Sequence, residues 1–165
     1  MKRTALSRKT PMQRRRFTAS AVGKDRARRE KHLDALCRKL VVELRDRNTC
    51  QRCGTEKVRE DAQIHWAHIF TRNHKRLRWN PDNSLALCAG CHLWMDREKR
   101  DGYLWFARKF PDRAMGLGLL RRDRSRKPKM DLATERLWLE NAIREWESQM
   151  TDHRSRRGRD DAASE

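Results

Sequence analysis

The residues best suited to chemistry in this chain are crowded between Cys50 and His92. The stretch opens with Cys50-Gln-Arg-Cys53-Gly54 and closes with Cys88-Ala-Gly-Cys91-His92. Two Cys-x-x-Cys pairs offer four thiolates, the donor set of one tetrahedral structural zinc. Each pair can bite the metal from a tight turn, and Gly54 suits a turn that needs positive φ. A redox Cys-x-x-Cys belongs at a strand-to-helix junction of a thioredoxin-like fold. Here two pairs bracket an insert, which fits zinc better. The 34 residues between Cys53 and Cys88 exceed the ~15–20 of a simple zinc ribbon. The insert carries His65, His68 and His74, half of the chain's six histidines, and His92 directly follows the last cysteine. Zinc would therefore pin a histidine-bearing hairpin against a histidine-bearing helix.

The elements that must position these groups can be read from patterning. Leu33, Leu36, Cys37, Leu40, Val41 and Leu44 recur at helical spacing, which predicts an amphipathic helix from His32 to near Asn48. Cys37 lies on its apolar stripe and reads as a buried structural thiol. Residues 62–70 alternate as a strand, with Ile64, Trp66 and His68 on one face and Gln63, His65 and Ala67 on the other. Thr71 to Arg78 is a basic loop that Trp79 could close onto the core. Asn80-Pro-Asp-Asn83 is a turn signal, and Ser84 to Leu87 a short strand. A helix then starts near Cys88 and carries His92, Trp94, Met95 and Asp96. A second helix holds Tyr103 to Phe110 and stops at Pro111. A short one spans Met115 to Leu120, weakened by Gly116 and Gly118. Arg121 to Lys129 reads as a basic linker. Asp131 suits an N-cap for a last helix with Leu132, Leu139, Ile143, Trp146 and Met150 on one stripe. The fold class expected is α+β.

Composition narrows the partners. Of 165 residues, 39% are charged and only 36% hydrophobic, so the apolar core is small and a structural metal is a natural supplement. The net charge of +18 favours a polyanion, most simply nucleic acid. No apolar run approaches the ~20 residues of a membrane-spanning helix, and no signal peptide is visible. The chain therefore reads as soluble and cytoplasmic, with reduced thiols. Residues 1–31 hold a dense cationic series that includes Arg14, Arg15 and Arg16, and they read as a disordered basic arm laid on phosphates. Residues 151–165 read as a disordered tail.

The order His68, Asn83, His92, framed by the two Cys-x-x-Cys pairs, resembles the HNH endonuclease family. His68-Ile-Phe-Thr-Arg72, Arg78-Trp-Asn-Pro-Asp-Asn83 and Leu87-Cys-Ala-Gly-Cys-His92 look like the small nucleases of phages and prophages, including proteins similar to the NinG-type recombination factors. The resemblance covers Cys50–Asp96 most firmly. It implies a ββα-metal core with a treble-clef-like zinc site over residues 32–125, flanked by a C-terminal helix over 126–150. It implies DNA as substrate, one catalytic Mg²⁺ or Mn²⁺, and a place in the host cell's cytoplasm near the nucleoid. A host or phage recombination protein is a further partner it suggests. By position, His68 would be the general base, Asn83 would tie the turn to the strand bearing His68, and His92 would ligate the catalytic ion. Arg72, Lys75, Arg76 and Arg78 would hold the DNA backbone.

One departure matters. Many family members carry Asp or His just before the general base, as a metal ligand; here that position is Ala67. His65, two residues earlier on the same strand face, and Asp96, one helical turn after His92, are the candidates to fill the gap. The competing readings are a packed strand histidine and a solvated helix carboxylate. The alternative function is a non-catalytic, zinc-stabilised DNA-binding or recombination accessory module, which Ala67 favours and the retained trio of His68, Asn83 and His92 disfavours.

Overall fold

A computed structural model describes residues 21–56, 63–123 and 131–162, and shows an α+β arrangement of helices around one two-stranded antiparallel sheet. Strand β1 spans Ile64–His68 and β2 spans Ser84–Cys88. They pair Ile64 with Cys88 at one end and His68 with Ser84 at the other. Leu85, Ala86 and Leu87 are wholly buried, so this small sheet is core rather than surface. Between the strands the chain folds back through a 3₁₀ turn, Pro81–Asn83, in which the Asn80 side chain accepts from the Asp82 amide at 2.9 Å. Leu77 and Trp79 turn inward and are 2% and 3% exposed, which closes the basic loop onto the core as the sequence predicts.

The free edge of β2 is not left open, since unpaired strand groups invite mispairing. The Ala86 amide donates to Asp46 Oδ2 at 2.8 Å, and the Ala86 carbonyl accepts from the Gln51 amide at 2.9 Å. Asp46 is in turn held by Arg45, whose guanidinium also donates to the carbonyls of Pro81 and Ser84. These bonds fasten the first cysteine turn and the end of the preceding helix to the sheet.

Helix α1 spans Ala21–Arg38, so the basic arm expected to reach residue 31 ends sooner, and Arg14, Arg15 and Arg16 lie outside the described residues. The early start has a local cause. Asp25 pairs with Arg28 and Arg29, and Arg26 with Glu30, at three- and four-residue spacing; such pairs support a helix without an apolar stripe. Past Arg38 the chain winds on as a π-helical segment, Lys39–Arg45, that buries Leu40, Val41 and Val42. It ends where Arg47 and Asn48 take positive φ of 50° and 53°.

After β2, helix α2 (Ala89–Arg97) begins at once, followed by α3 (Lys99–Lys109) and α4 (Pro111–Arg122). Pro111 both ends α3 and opens α4, because a first-turn proline gives up an amide that has no helical partner. Helix α4 takes in Arg121 and Arg122, which composition assigned to a linker. Helix α5 (Leu132–Ala162) is capped by Asp131, which accepts from the Ala133 amide at 3.1 Å. Leu139 and Ile143 are buried as expected, but Met150 is 41% exposed. The packed stripe thus ends before Met150 while the helix runs on into residues read as tail. Apolar periodicity marks where a helix packs, not where it stops.

Candidate functional site

The first cysteine turn is built from its backbone. The Cys50 amide donates to Thr55 O at 2.8 Å and the Gly54 amide to Cys50 O at 2.9 Å, with Gly54 at φ 75°. The second pair sits at the β2–α2 junction. The two turns bring the ligand atoms of Cys50, Cys53, Cys88 and Cys91 within 4.8 Å of one another. Cys53 and Cys88 Sγ are 3.7 Å apart, close to the ~3.8 Å edge of a tetrahedron with metal–sulfur bonds of ~2.3 Å. The four thiols are therefore arranged to hold a metal ion. Their protonation is uneven. Hydrogen bonds from Thr55 draw Cys53 down to about 6, while burial pushes Cys91 up to about 12. Arg52 donates to Cys91 Sγ at 3.6 Å and stacks 3.7 Å from the Trp94 ring centre, placing a fixed cation beside the cluster. Cys37 stands apart, fully buried, with Sγ donating to Trp79 O at 3.5 Å and its thiol pushed up to about 12 by burial. It is the core thiol its stripe position suggests.

One residue along the strand from that end, His65 meets His92 of α2, Nδ1 to Nδ1 at 3.1 Å. Two nitrogens bound to one ion at ~2.1 Å would stand at a similar spacing. Asp96 does not complete this set. Its Oδ2 lies 3.5 Å from His92 Nε2, the opposite edge of the ring, and its other oxygen takes Lys99 Nζ at 2.6 Å. A single ion cannot collect His65 and Asp96 through both edges of the same imidazole. Burial lowers the His92 pKa, against the opposing pull of Asp96.

His68 ends β1 and points to the other face of the strand, where its ring packs 4.2 Å from Trp66. Its Nε2 lies 3.2 Å from Arg78 O. A carbonyl only accepts, so the proton sits on Nε2 and Nδ1 carries the lone pair. Burial draws its pKa down to about 4, so the imidazole is neutral at pH 7. Two devices hold this arrangement. Asn83, fully buried, accepts from the Phe70 amide at 2.8 Å and donates to Phe70 O and Leu77 O, both at 2.9 Å. Its amide thus closes the loop between the strands. Arg78 fixes the acceptor of His68, since its guanidinium bonds both Asp34 oxygens at 3.0 and 2.7 Å and Glu30 at 2.8 Å. Trp79 Nε1 adds a further bond to Asp34 at 2.8 Å.

Arg78 is therefore a correction to its reading as a DNA contact: only 13% of its side chain is exposed, and its charge is spent on α1. Arg76 is likewise paired with Asp123 at 2.7 Å. Lys75 and Arg72 are exposed. Arg72 lies 5.4 Å from the Trp66 ring centre, and its charge bears on both His68 and His92. It is the group that links the two halves of the site. Asp34, Glu30, Asp46, Arg45 and Arg113 were missed from sequence. Charge alone does not reveal a partner 44 positions away, although Asp34 on the apolar side of a helix was a readable anomaly.

No protein-family model, no curated protein and no solved structure gives a significant match to the chain.

Proposed function

We propose that the chain is a divalent-metal-dependent endonuclease of the HNH kind, hydrolysing DNA phosphodiester bonds around a structural zinc on Cys50, Cys53, Cys88 and Cys91. The observation that carries this reading is the tether on His68. An imidazole whose Nε2 is committed to the Arg78 carbonyl, on a strand end pinned by Asn83, leaves Nδ1 as an oriented base.

In this reading His68 Nδ1 takes a proton from a water in line with the phosphate. Exposed Arg72 and Lys75 hold the backbone. His65 and His92 would hold the catalytic ion, which when bound polarises the phosphoryl oxygen and eases departure of the 3′ oxygen. Two imidazoles favour Mn²⁺ over Mg²⁺. The product would carry a 5′ phosphate and a 3′ hydroxyl.

A second reading, a non-catalytic DNA-binding or recombination accessory module, has a specific observation behind it. His65 and His68 are three residues apart, about 10 Å along a strand and on opposite faces, and buried Ala67 supplies no ligand between them. A cleavage assay separates the two. Supercoiled plasmid and branched DNA are incubated with wild type and His68→Ala in Mg²⁺ and in Mn²⁺. Cleavage by wild type alone supports the nuclease, whereas tight binding without cleavage by either supports the module.

A further inference from the structure

A second feature begins two residues after His68 along the chain. Phe70, Tyr103 of α3, Gly118, Arg121 and Arg122 of α4 line an open cleft of about 450 Å³, within the ~300–1,000 Å³ range of sites that enclose small molecules. The rings of Phe70 and Tyr103 are 5.7 Å apart and inclined at 38°, and Arg121 lies 4.9 Å from the Phe70 ring centre. No hydrogen bond or ion pair to a carboxylate is found for Arg121 or Arg122 among the described residues, unlike Arg76 and Arg78. Phe70 is also not a loose loop residue, since Asn83 bonds both its amide and its carbonyl. The same side chain thus fixes His68's strand end and this aromatic wall in one frame.

We propose that the cleft takes one unpaired nucleotide of a DNA strand, its base stacked on Tyr103 and Phe70 and its phosphate held by Arg121 and Arg122. Aromatic faces beside cations are the chemistry of single-strand recognition, because every base has a π-face and every linkage an anion. A paired base presents only its edge and cannot enter. The consequence is a preference for DNA with an unpaired segment next to the bond presented to His68, and this consequence for cleavage rests on the nuclease reading. Binding does not.

The test measures anisotropy of a labelled oligo(dT) strand and of a duplex of equal length, with zinc-loaded full-length protein in magnesium-free buffer. Tyr103→Ala is the main variant, being 36% exposed; Phe70→Leu and Arg121→Gln are the companions, the first keeping apolar bulk. Tyr103→Ala should weaken single-strand binding roughly five-fold or more, as loss of one base–aromatic stack does, and leave duplex binding unchanged. Phe70→Leu and Arg121→Gln should shift in the same direction. Equal losses on both DNAs, or none, would overturn the proposal even if the protein cleaves DNA. A selective loss would sustain it even if no cleavage is found. Free dTMP competing as well as the strand would overturn the assignment to a nucleotide within DNA.

Discussion

The two ends of the β1–β2 sheet are held by different physics. At the Ile64–Cys88 end, order converges on four thiols within 4.8 Å of one another, with the His65–His92 pair alongside. At the His68–Ser84 end the nearby thiol is Cys37, which is buried and bonded to Trp79 O rather than grouped with other cysteines. Asn83 closes the loop by three neutral hydrogen bonds, while Arg45 and Arg113 bond the backbone carbonyls of Pro81 and Ser84. The thiols of the first end are arranged for a ligand from outside the chain, whereas the bonds of the second are all supplied by the chain itself. The difference separates a thiol cluster arranged for a metal from the His68 ring, which is held by protein groups alone.

Breaking the cysteine end should have the largest effect. Metal analysis should find one zinc per chain, and Cys91→Ser or exhaustive chelation should unfold the sheet region, because structural zinc contributes on the order of 10 kcal/mol or more to folding. Circular dichroism with and without chelator checks this. Well-folded protein without bound metal would remove the distinction between the ends.

Breaking the other end should cost less but act independently of metal. Asn83→Ala orphans three backbone groups, one buried and two partly buried, at roughly 1 kcal/mol each, so a loss of about 3 kcal/mol in denaturant unfolding is expected, with zinc content unchanged. Zinc loss in this variant would show that the two ends are one cooperative unit.

The acid limb of stability sharpens the same contrast. The folded pKa of His68 is depressed from 6.5 to about 4, so the folded state binds fewer protons than the unfolded one. Its contribution is complete above pH 6.5 and is lost as pH falls toward 4, by roughly 3 kcal/mol in all. His68→Gln should flatten that limb; an unchanged limb would show that the imidazole is not desolvated.

How much of this was legible in the sequence follows the same division. The strands, the turn at Asn80–Asn83 and the start of α2 announced themselves, because alternation, turn residues and Cys-x-x-Cys spacing are local signals. Cys37 as a core thiol could be placed for that reason, whereas Asn83 as a loop tie came only as what the family resemblance implies. The start of α1 could not, since its first turns rest on ion pairs rather than an apolar stripe. Arg78 looked like one more cation of a basic loop; its role as a buried anchor depends on Glu30 and Asp34, on a helix 44 and more positions earlier. The cleft of Phe70, Tyr103 and Arg121 joins three elements and left no mark on any one of them. Asp96 was placed on the correct helix face, yet the rotation of one imidazole decides that it meets His92 from the wrong side.

The smallest effect concerns the amino-terminal residues. Removing 1–20, which carry seven cations including Arg14, Arg15 and Arg16, should leave the stability of both ends unchanged. It should lower the salt dependence of DNA binding by up to several units, at ~0.9 for each phosphate no longer neutralised. A truncated protein with the same salt slope would show that the arm does not touch DNA.

The central claim is that His68 is an oriented base, and single-turnover cleavage of plasmid DNA in Mn²⁺ tests it most directly. His68→Ala, verified to retain zinc and DNA affinity, should cut roughly 10²–10⁴ times more slowly than wild type. Cleavage at the wild-type rate by that variant would contradict the assignment of His68 as the base.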